Sequence, residues 1–264
     1  MKLARLSLAA LLCLLPASAR AHEAHDGPPL HVGTGYKECF VKFAPELTQE
    51  AFGRFVREFG SVSAFDLAGS PRPLGRGHVA IAIEDLGFGL EDHAAAWNDT
   101  FAHPDAEHDL GDQQLVPSVR VRAGVNDRLD AGAFFTRNPW SNYGWFGIEA
   151  WYALARRGEG ATADLSVRAA YTRTLYVQDM RMQAFTADLA VERPLNGWLS
   201  SYVAAGGDLV LARETSAVVD LESESPFVPH VLGGLEARAW RFTLGAQARL
   251  AALNGVKLRV GTAF

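Results

Sequence analysis

Histidine and carboxylate side chains are densest in one polar stretch, residues 91–112. His93, His103 and His108 stand there among acidic neighbours. Such side chains ligate divalent cations, so the stretch could hold a metal ion or meet a cation-bridged lipopolysaccharide surface. Because the spacing fits no standard zinc pattern, the favoured interpretation is a solvated acidic loop.

Other groupings that could carry chemistry are weaker. His22 and His25 could chelate a metal, but a disordered terminal stretch is the ordinary expectation there. No nucleophile elbow, phosphate-binding loop, dinucleotide fingerprint or Cys–His motif appears. We therefore assign no catalytic, metal-binding or cofactor-binding residue and expect no cofactor. An enzyme acting on lipid or peptide at an extracellular rim stays as an alternative, since it needs convergent geometry that a sequence does not display.

The start of the chain has the features of a cleavable secretory signal. Basic residues precede an apolar stretch, residues 6–15, and Ala19 and Ala21 stand where signal peptidase reads small side chains. We expect export through the secretion translocon and cleavage after Ala21, which makes residues 1–21 the signal. Cys39 is then the one cysteine of the mature chain, so an internal disulfide is excluded.

Charge and hydropathy exclude two further classes of protein. The net charge is -5 with acids and arginines interspersed, so there is no basic stripe for a nucleic acid. Beyond the signal no run reaches the roughly 18 apolar residues that a transmembrane helix needs. The mature chain is therefore either a soluble protein or a β-barrel.

From residue 77 onward, short segments alternate apolar and polar side chains. In residues 119–125, for example, valines and alanine point to one face and both arginines to the other, which is the period of a β-strand. Most segments are long enough for a tilted membrane strand of about 9 to 11 residues. The ten candidate strands are residues 77–89, 114–126, 128–137, 143–156, 161–174, 180–193, 198–212, 228–239, 241–252 and 255–264.

The connections between these strands alternate in length. Tight turns near residues 126–127, 157–160, 194–197 and 240–241 share one side, while the longer connections 91–113 and 214–227 fall on the other. Membrane barrels have short periplasmic turns, longer outer loops and an even strand number. Eight or twelve strands also fit, because the first strand changes phase between Ile83 and Leu86 and the N-terminal stretch could add two.

Charged residues recur on the polar side of nearly every strand. In a membrane barrel they would line the lumen, where acids and bases could pair across neighbouring strands and leave it plugged or very narrow. The predicted lumen charge network is Arg120, Arg122, Asp130, Glu149, Asp164, Arg168, Asp188, Asp208, Glu236, Arg238, Arg249, Lys257 and Arg259.

A soluble periplasmic barrel with a small apolar ligand inside is the third alternative, because it shows the same alternation with the opposite orientation. It would bury Val119, Val121, Leu165, Val167, Leu244 and Ala246, whereas the membrane barrel turns them to lipid. In the membrane barrel, Val121→Arg or Val167→Arg should impair assembly, and Arg168→Gln should be mild.

Aromatic residues near the strand ends are typical of the two interfacial girdles of a membrane barrel. Trp145 and Trp151 share a face with Glu149, so we expect them to point inward and pack. The predicted outer girdle is Trp140, Tyr143, Tyr171, Tyr176 and Phe227, and the predicted inner girdle is Trp198, Trp240, Phe242 and Phe264.

Residues 22–76 have a different pattern. Leu47, Phe52, Phe55 and Phe59 follow one face of an amphipathic helix that should stop at Gly60. Short strands before it, at residues 39–43, and after it, at 62–65, would complete a small β-α-β unit. We expect this segment to be a periplasmic cap, a plug or a subdomain.

The last strand carries a more specific signal. Apolar residues alternate with Lys257, Arg259, Gly261 and Ala263, which resembles the C-terminal strand of bacterial outer-membrane β-barrel proteins. In that superfamily this pattern resembles the signal read by the barrel-assembly machinery, although Thr262 is less apolar than the usual residue. The resemblance implies a fold, an outer-membrane location and that partner. The apolar set is Val256, Leu258, Val260, Thr262 and Phe264.

The sequence thus predicts an all-β protein, an antiparallel up-and-down transmembrane β-barrel of about ten strands with a small N-terminal α/β segment. The predicted divisions are the signal peptide, residues 1–21, the N-terminal segment, 22–76, and the barrel, 77–264. The expected role is structural, adhesive or narrow transport with a charge-filled lumen. Expected partners are outer-membrane lipid and lipopolysaccharide.

Overall fold

The computed structural model describes residues 40–264 except 65, 92, 103–112 and 138–142. Strands dominate this part of the chain, and helices are confined to residues before 100. The elements are β1 (Phe40–Val41), α1 (Gln49–Ser63), β2 (Val79–Gly89), α2 (Ala95–Asn98), β3 (Phe101–Ala102), β4 (Gln113–Gly124), β5 (Leu129–Arg137), β6 (Gly144–Ala155), β7 (Asp164–Leu175), β8 (Met180–Pro194), β9 (Leu199–Glu214), β10 (Phe227–Ala239), β11 (Phe242–Leu250) and β12 (Gly255–Ala263).

Ten of these strands, β2 and β4 to β12, close into a barrel. Each pairs with the next barrel strand along the chain, and β12 closes the ring on β2 with Val260 opposite Ile83. Every pair is antiparallel. The predicted up-and-down barrel and its strand number are confirmed, with boundaries that differ from the predicted ones by a few residues.

The two ends of the barrel differ in their connections. Residues 125–128, 156–163, 195–198 and 240–241 join strands at one end, which we call the turn end. The strand ends that the remaining connections join, including those of the long connections 90–112 and 215–226, lie at the opposite end, which we call the loop end. The chain enters the barrel wall at the turn end, because the turn at residues 75–78 leads directly into β2.

The apolar face of the wall points outward. Along β8 the side chains alternate between buried and exposed over the whole strand. Phe185 and Leu189 are exposed on the outside, while Asp188 is buried inside. The same orientation holds in the other strands: Val121, Val167 and Leu244 are 41%, 36% and 40% exposed. The interior of the ligand-binding alternative would need these residues, so that alternative is wrong.

Strand β2 explains the predicted change of phase. Its side chains keep one register, with Ala82, Glu84, Leu86 and Phe88 all buried inside. What changes is the interior, which is polar at Glu84 and apolar at Leu86 and Phe88. Asp85 consequently stands on the outward face between them.

A proline ends one ladder of the barrel. Among the described residues, β4 and β5 pair only as far as Val119 and Phe135. Val125 N–H donates to Leu129 O, so alternate residues of β4 aim their N–H groups at β5. Pro117 falls on that set and has no N–H to give, and its carbonyl instead accepts from the Thr136 hydroxyl.

Helix α1 runs further than the sequence predicts. Thr48 caps its start by accepting from Ala51 N, and the helix continues through Gly60 to Ser63. Val62 and Ser63 are therefore helical, so the predicted strand at residues 62–65 is wrong in its described residues. β1 pairs with β3, which lies after β2, and the predicted β-α-β unit is not formed. No described helix is long and apolar enough to span a membrane.

The helix packs inside the loop-end half of the barrel. Phe52, Phe55 and Phe59 belong to one buried core with inward side chains of the strands, such as Trp145 and Val210. Phe55 and Phe59 stack with ring centroids 4.9 Å apart. Gly60 lets the helix backbone approach the wall closely. A Cβ there would lie 2.7 Å from both methyl groups of Val210.

This contact gives a coupling prediction. Gly60→Ala should gain about 1 kcal/mol of helix propensity and lose about 1–3 kcal/mol to overpacking against Val210. In a Val210→Ala background both methyl contacts are removed and only the Cβ of residue 210 stays close, at 3.1 Å, so the same substitution should lower the free energy of unfolding by less. Urea unfolding of the refolded protein in micelles measures both values. Equal effects of Gly60→Ala in the two backgrounds would contradict the packing described.

Candidate functional site: the barrel interior

Between α1 and the turn end, residues 66–74 cross the barrel interior without forming a helix or a strand, and the chain bends at Gly69 and Arg72; we call this stretch the inner segment. Wall side chains donate hydrogen bonds to its carbonyl groups. Arg120 donates to Asp66 O at 2.5 Å, and Arg122 donates to Ser70 O at 2.9 Å and to Arg72 O at 2.8 Å. A backbone inside a barrel cannot reach bulk water, so these bonds replace its hydration.

The N–H groups of the inner segment are satisfied from other strands. Ser70 N donates to Glu236 Oε2 at 3.0 Å and Leu74 N to Asp130 Oδ2 at 2.9 Å. Gly69 N donates to the Tyr202 hydroxyl at 3.2 Å. The wall therefore offers donors to the carbonyls and acceptors to the amides, as a neighbouring strand would.

Gly69 marks the closest approach of the inner segment to the wall. Its φ is 80°, a left-handed conformation that favours glycine. A Cβ at this position would lie 2.5 Å from an Arg259 guanidinium nitrogen and 2.6 Å from Glu236 Oε2. The backbone conformation therefore favours glycine here, and an added Cβ would displace the ends of the Arg259 and Glu236 side chains.

Side chains of the inner segment are anchored as well. Asp66 forms ion pairs with Arg249, at 2.9 Å, and with Lys257, at 3.9 Å. Leu67 is fully buried in a small apolar cluster with wall residues that include Trp151 and Leu232. The Ser70 hydroxyl donates to Glu192.

The wall itself carries a connected network of buried ion pairs. Glu149 lies between Arg120 and Arg168, with Oε2 2.7 Å from a nitrogen of each. Arg168 also contacts Asp188 at 2.8 Å, and Arg120 contacts Glu84 at 2.9 Å. Each of these side chains is almost completely buried. A buried charge is tolerated only when it is paired and hydrogen-bonded, so the network depends on all of its members.

His230 extends this network toward the loop end. Its Nε2 lies 2.6 Å from Asp188 Oδ1 and its Nδ1 lies 3.1 Å from Asp208 Oδ2. Arg249 binds the same Asp208 oxygen at 2.6 Å and also donates to Ser61 O at the end of α1. The network thereby connects the wall directly to the helix.

The structure brings most of the predicted lumen residues together, with two at its margin. Arg238 contacts Glu236 but its side chain is 48% exposed. Asp164 accepts from Arg157 N beside a turn-end connection. Arg259 joins the centre through Glu236 and Glu84, at 2.9 and 3.5 Å.

Sequence reasoning missed four members of this site. Glu84, His230 and Glu192 occupy inward positions of their strands, so the alternation that selected the other residues could have found them. Asp66 lies outside the barrel strands, and no periodic signal marks it. Its role depends on a chain segment whose position only the fold shows.

The aromatic residues at the strand ends divide between girdle and interior. Tyr176 and Phe227 at the loop end, and Trp198, Trp240, Phe242 and Phe264 at the turn end, are exposed on the surface. Tyr171 pairs with Phe185, with ring centroids 5.1 Å apart. The girdle prediction is wrong for Tyr143, which packs against Phe59 and Trp145 in the interior core. Its ring caps the aromatic cluster around α1.

The residues of the predicted C-terminal assembly signal line the outer surface. Val256, Leu258 and Val260 are exposed on the outward face of β12, and Phe264 is exposed beyond its end. Thr262 stands opposite Ile81 and Phe242 in the neighbouring strands. The alternation continues to the end of the chain.

At the loop end, a small polar cluster covers α1. Glu58 accepts from Arg54 Nε at 2.8 Å and from Trp97 Nε1 at 2.5 Å, and Arg54 also binds Glu91 at 2.7 Å. These hydrogen bonds, that with Glu58 foremost, raise the pKa of Arg54 above its usual value. Glu91 is thus part of an ion pair at the surface of this polar cluster.

Several predictions from the sequence lie outside the described residues. They are the signal peptide with its cleavage after Ala21, His22 and His25, Cys39, Trp140 and the acidic loop at residues 103–112. Within the residues that the structure does describe, no group of three or more histidine, cysteine or acidic side chains is placed to hold a metal ion.

Fold and interior together define a closed antiparallel barrel with an apolar exterior and an interior filled by its own chain. No family model matches the sequence, and no curated protein matches it. Solved structures similar to it include bacterial outer-membrane β-barrel proteins.

Three such structures show how distant the likeness is. An outer-membrane channel from Pseudomonas putida F1 has 10% identity and a TM-score of 0.45, over 76% of this chain and 100% of the channel. Ail of Yersinia pestis, in complex with the heparin analogue sucrose octasulfate, has 13% identity and a TM-score of 0.32, over 72% and 99%. The KdgM porin, in complex with disordered oligogalacturonate, has 6% identity and a TM-score of 0.37, over 70% and 99%. At these identities the likeness concerns the fold alone.

Proposed function

We propose that this protein is an outer-membrane barrel for narrow transport, closed at rest by residues 40–74 acting as a plug. The outward face supports the membrane location, because exposed valine, leucine, isoleucine and phenylalanine cover it while charges are buried inside. Water disfavours such a surface and lipid favours it. The loop end would then face the exterior and the turn end the periplasm.

The contacts of the inner segment carry the transport proposal. A barrel with a purely structural role can fill its interior with wall side chains alone. Here a separate stretch of chain occupies the interior, and the wall groups that hold it include Arg120, Arg122 and Glu236. These side chains are charged, so they would line a path that water can enter when the segment moves. Movement of the plug, α1 together with the inner segment, is therefore the opening step.

Conductance of Gly69→Ala tests this proposal. The wild-type barrel in planar lipid bilayers should be closed nearly all the time. Gly69→Ala should conduct in resolved steps, because the added methyl group strains a left-handed residue by about 1–2 kcal/mol and also collides with Arg259 and Glu236. The measurement is single-channel current at fixed voltage.

Gly158→Ala is the matched control. It has a φ of 93° and nothing within 4 Å of an added Cβ, so it imposes similar backbone strain in a turn-end connection outside the interior. It should stay as closed as the wild type. A Gly69→Ala protein that folds, shown by heat-modifiable gel migration, and is as silent as the wild type would refute transport through this interior.

The outward surface suggests partners for the same protein. Lipid chains would cover the apolar band, and lipopolysaccharide would meet the loop-end surface. The exposed face of β12, with Val256, Leu258 and Val260, is available for the barrel-assembly machinery during biogenesis. No catalytic residue enters this proposal.

A further inference from the structure

The contacts between the wall and the inner segment are mostly contacts with backbone atoms. The carbonyls of Asp66, Ser70, Pro71 and Arg72 accept hydrogen bonds from Arg120, Arg122 and Ser166. The amides of Gly69, Ser70, Arg72 and Leu74 donate to Tyr202, Glu236, Glu192 and Asp130. These partners come from six different strands, and all of them point into the interior.

Such an arrangement has the properties of a peptide-binding site. Main-chain hydrogen bonds hold an extended peptide, and pockets for individual side chains select among sequences. The pocket around Leu67, formed with Trp151, Tyr202 and Leu232, accepts one apolar side chain. Arg249 and Lys257 together bind one carboxylate group.

We infer that the barrel interior is a binding site for peptides in the bent conformation of the inner segment, which occupies it as a built-in ligand. This inference rests on the proposed function and names its substrate class. A peptide that enters from the turn end would replace the inner segment bond for bond. The preferred peptide carries an acidic residue, then an apolar one, and glycine two positions further on, where the backbone is left-handed and a Cβ would displace Arg259 and Glu236.

The site discriminates by geometry as well as by hydrogen bonds. Because the backbone at Gly69 is left-handed and a Cβ would displace Arg259 and Glu236, a ligand with alanine at that position should bind more weakly. A single methyl group thus separates a tighter-binding peptide from a weaker one. This difference supplies the control for the experiment.

The test measures binding of a labelled nine-residue peptide, Asp-Leu-Ala-Gly-Ser-Pro-Arg-Pro-Leu, to the full-length protein in micelles. Fluorescence anisotropy reports binding to wild type and to Gly69→Ala. In the wild type the tethered segment competes at an effective concentration on the order of millimolar, so micromolar peptide should not bind. In Gly69→Ala the tethered competitor is weakened, and the peptide should bind at least about tenfold more tightly.

The control peptide is Asp-Leu-Ala-Ala-Ser-Pro-Arg-Pro-Leu, which differs by one methyl group. It should bind Gly69→Ala at least about tenfold more weakly than the glycine peptide, because it meets the same collision as the mutated segment. Equal binding of the two peptides, or no binding of either, would overturn the inference.

The two proposals fail in different ways. If Gly69→Ala conducts but does not bind the glycine peptide, peptide recognition is wrong and transport stands. If Gly69→Ala binds the glycine peptide but does not conduct, transport is wrong. If it conducts and binds, the glycine peptide should also reduce its conductance when added at the turn end, and failure to do so would place the peptide outside the conducting path and overturn the inference.

Discussion

Replacing Arg168 with glutamine is expected to lower the free energy of unfolding by about 3–5 kcal/mol, the usual cost of breaking a buried ion pair. The guanidinium lies 2.7 Å from Glu149, 2.8 Å from Asp188 and 5.4 Å from the ring centre of Trp151. Glutamine supplies no charge, so it leaves two buried carboxylates with one cation fewer. Urea unfolding in micelles, followed by the loss of fast gel migration without boiling, measures the effect.

Arg238→Gln is the matched control for this change. Arg238 also forms an ion pair with a wall carboxylate, but its side chain is 48% exposed, and such pairs contribute about 0–1 kcal/mol. The sequence alone predicts a mild effect for Arg168→Gln, because Arg168 faces the lumen and not lipid. The structure leads to the opposite expectation, since this arginine is buried together with its ion-pair partners. Similar costs for the two variants would contradict a dry interior.

An arginine introduced at position 167, next to Arg168 in β7, should destabilise the protein through a different mechanism. Val167 lies on the outward face, and an arginine facing lipid near mid-membrane costs about 2–4 kcal/mol. Val167→Arg should therefore reduce the folded fraction recovered in the outer membrane, and Val121→Arg should do the same. Cell fractionation followed by gel migration with and without boiling measures both.

Leu195→Arg provides the comparison. Leu195 is exposed in a turn-end connection, where an arginine reaches the interface and costs about 0–1 kcal/mol. Equal recovery of Val167→Arg and Leu195→Arg would show that the wall does not face a bilayer. A loss confined to the wall position supports the proposed location.

The barrel could be predicted from the sequence because the residue pattern of each strand indicates which of its faces points inward. In β8, alternation of polar and apolar residues fixes which side faces in, and turn lengths fix which end each connection joins. The same alternation assigns Arg120, Glu149 and Arg168 to one interior face, where acids and bases could pair across neighbouring strands.

What fills the interior could not be predicted in the same way. Leu86 and Phe88 look like a change of phase until α1 is seen against them, and Tyr143 looks like a girdle residue until it is seen on Phe59. Asp66 forms ion pairs with residues almost two hundred positions away in the chain. Local patterns carry no information about contacts of that kind, because they depend on how a separate segment is placed.

Strand β2 also constrains the order of events in biogenesis. It is the strand that closes the ring against β12, it follows the inner segment after the short turn at residues 75–78, and it places Phe88 against the core around α1. A ring closed first around an empty interior would have to admit a folded helix afterwards through an aperture lined by ten strands. We therefore expect the helix and the inner segment to be enclosed before the seam between β2 and β12 is sealed.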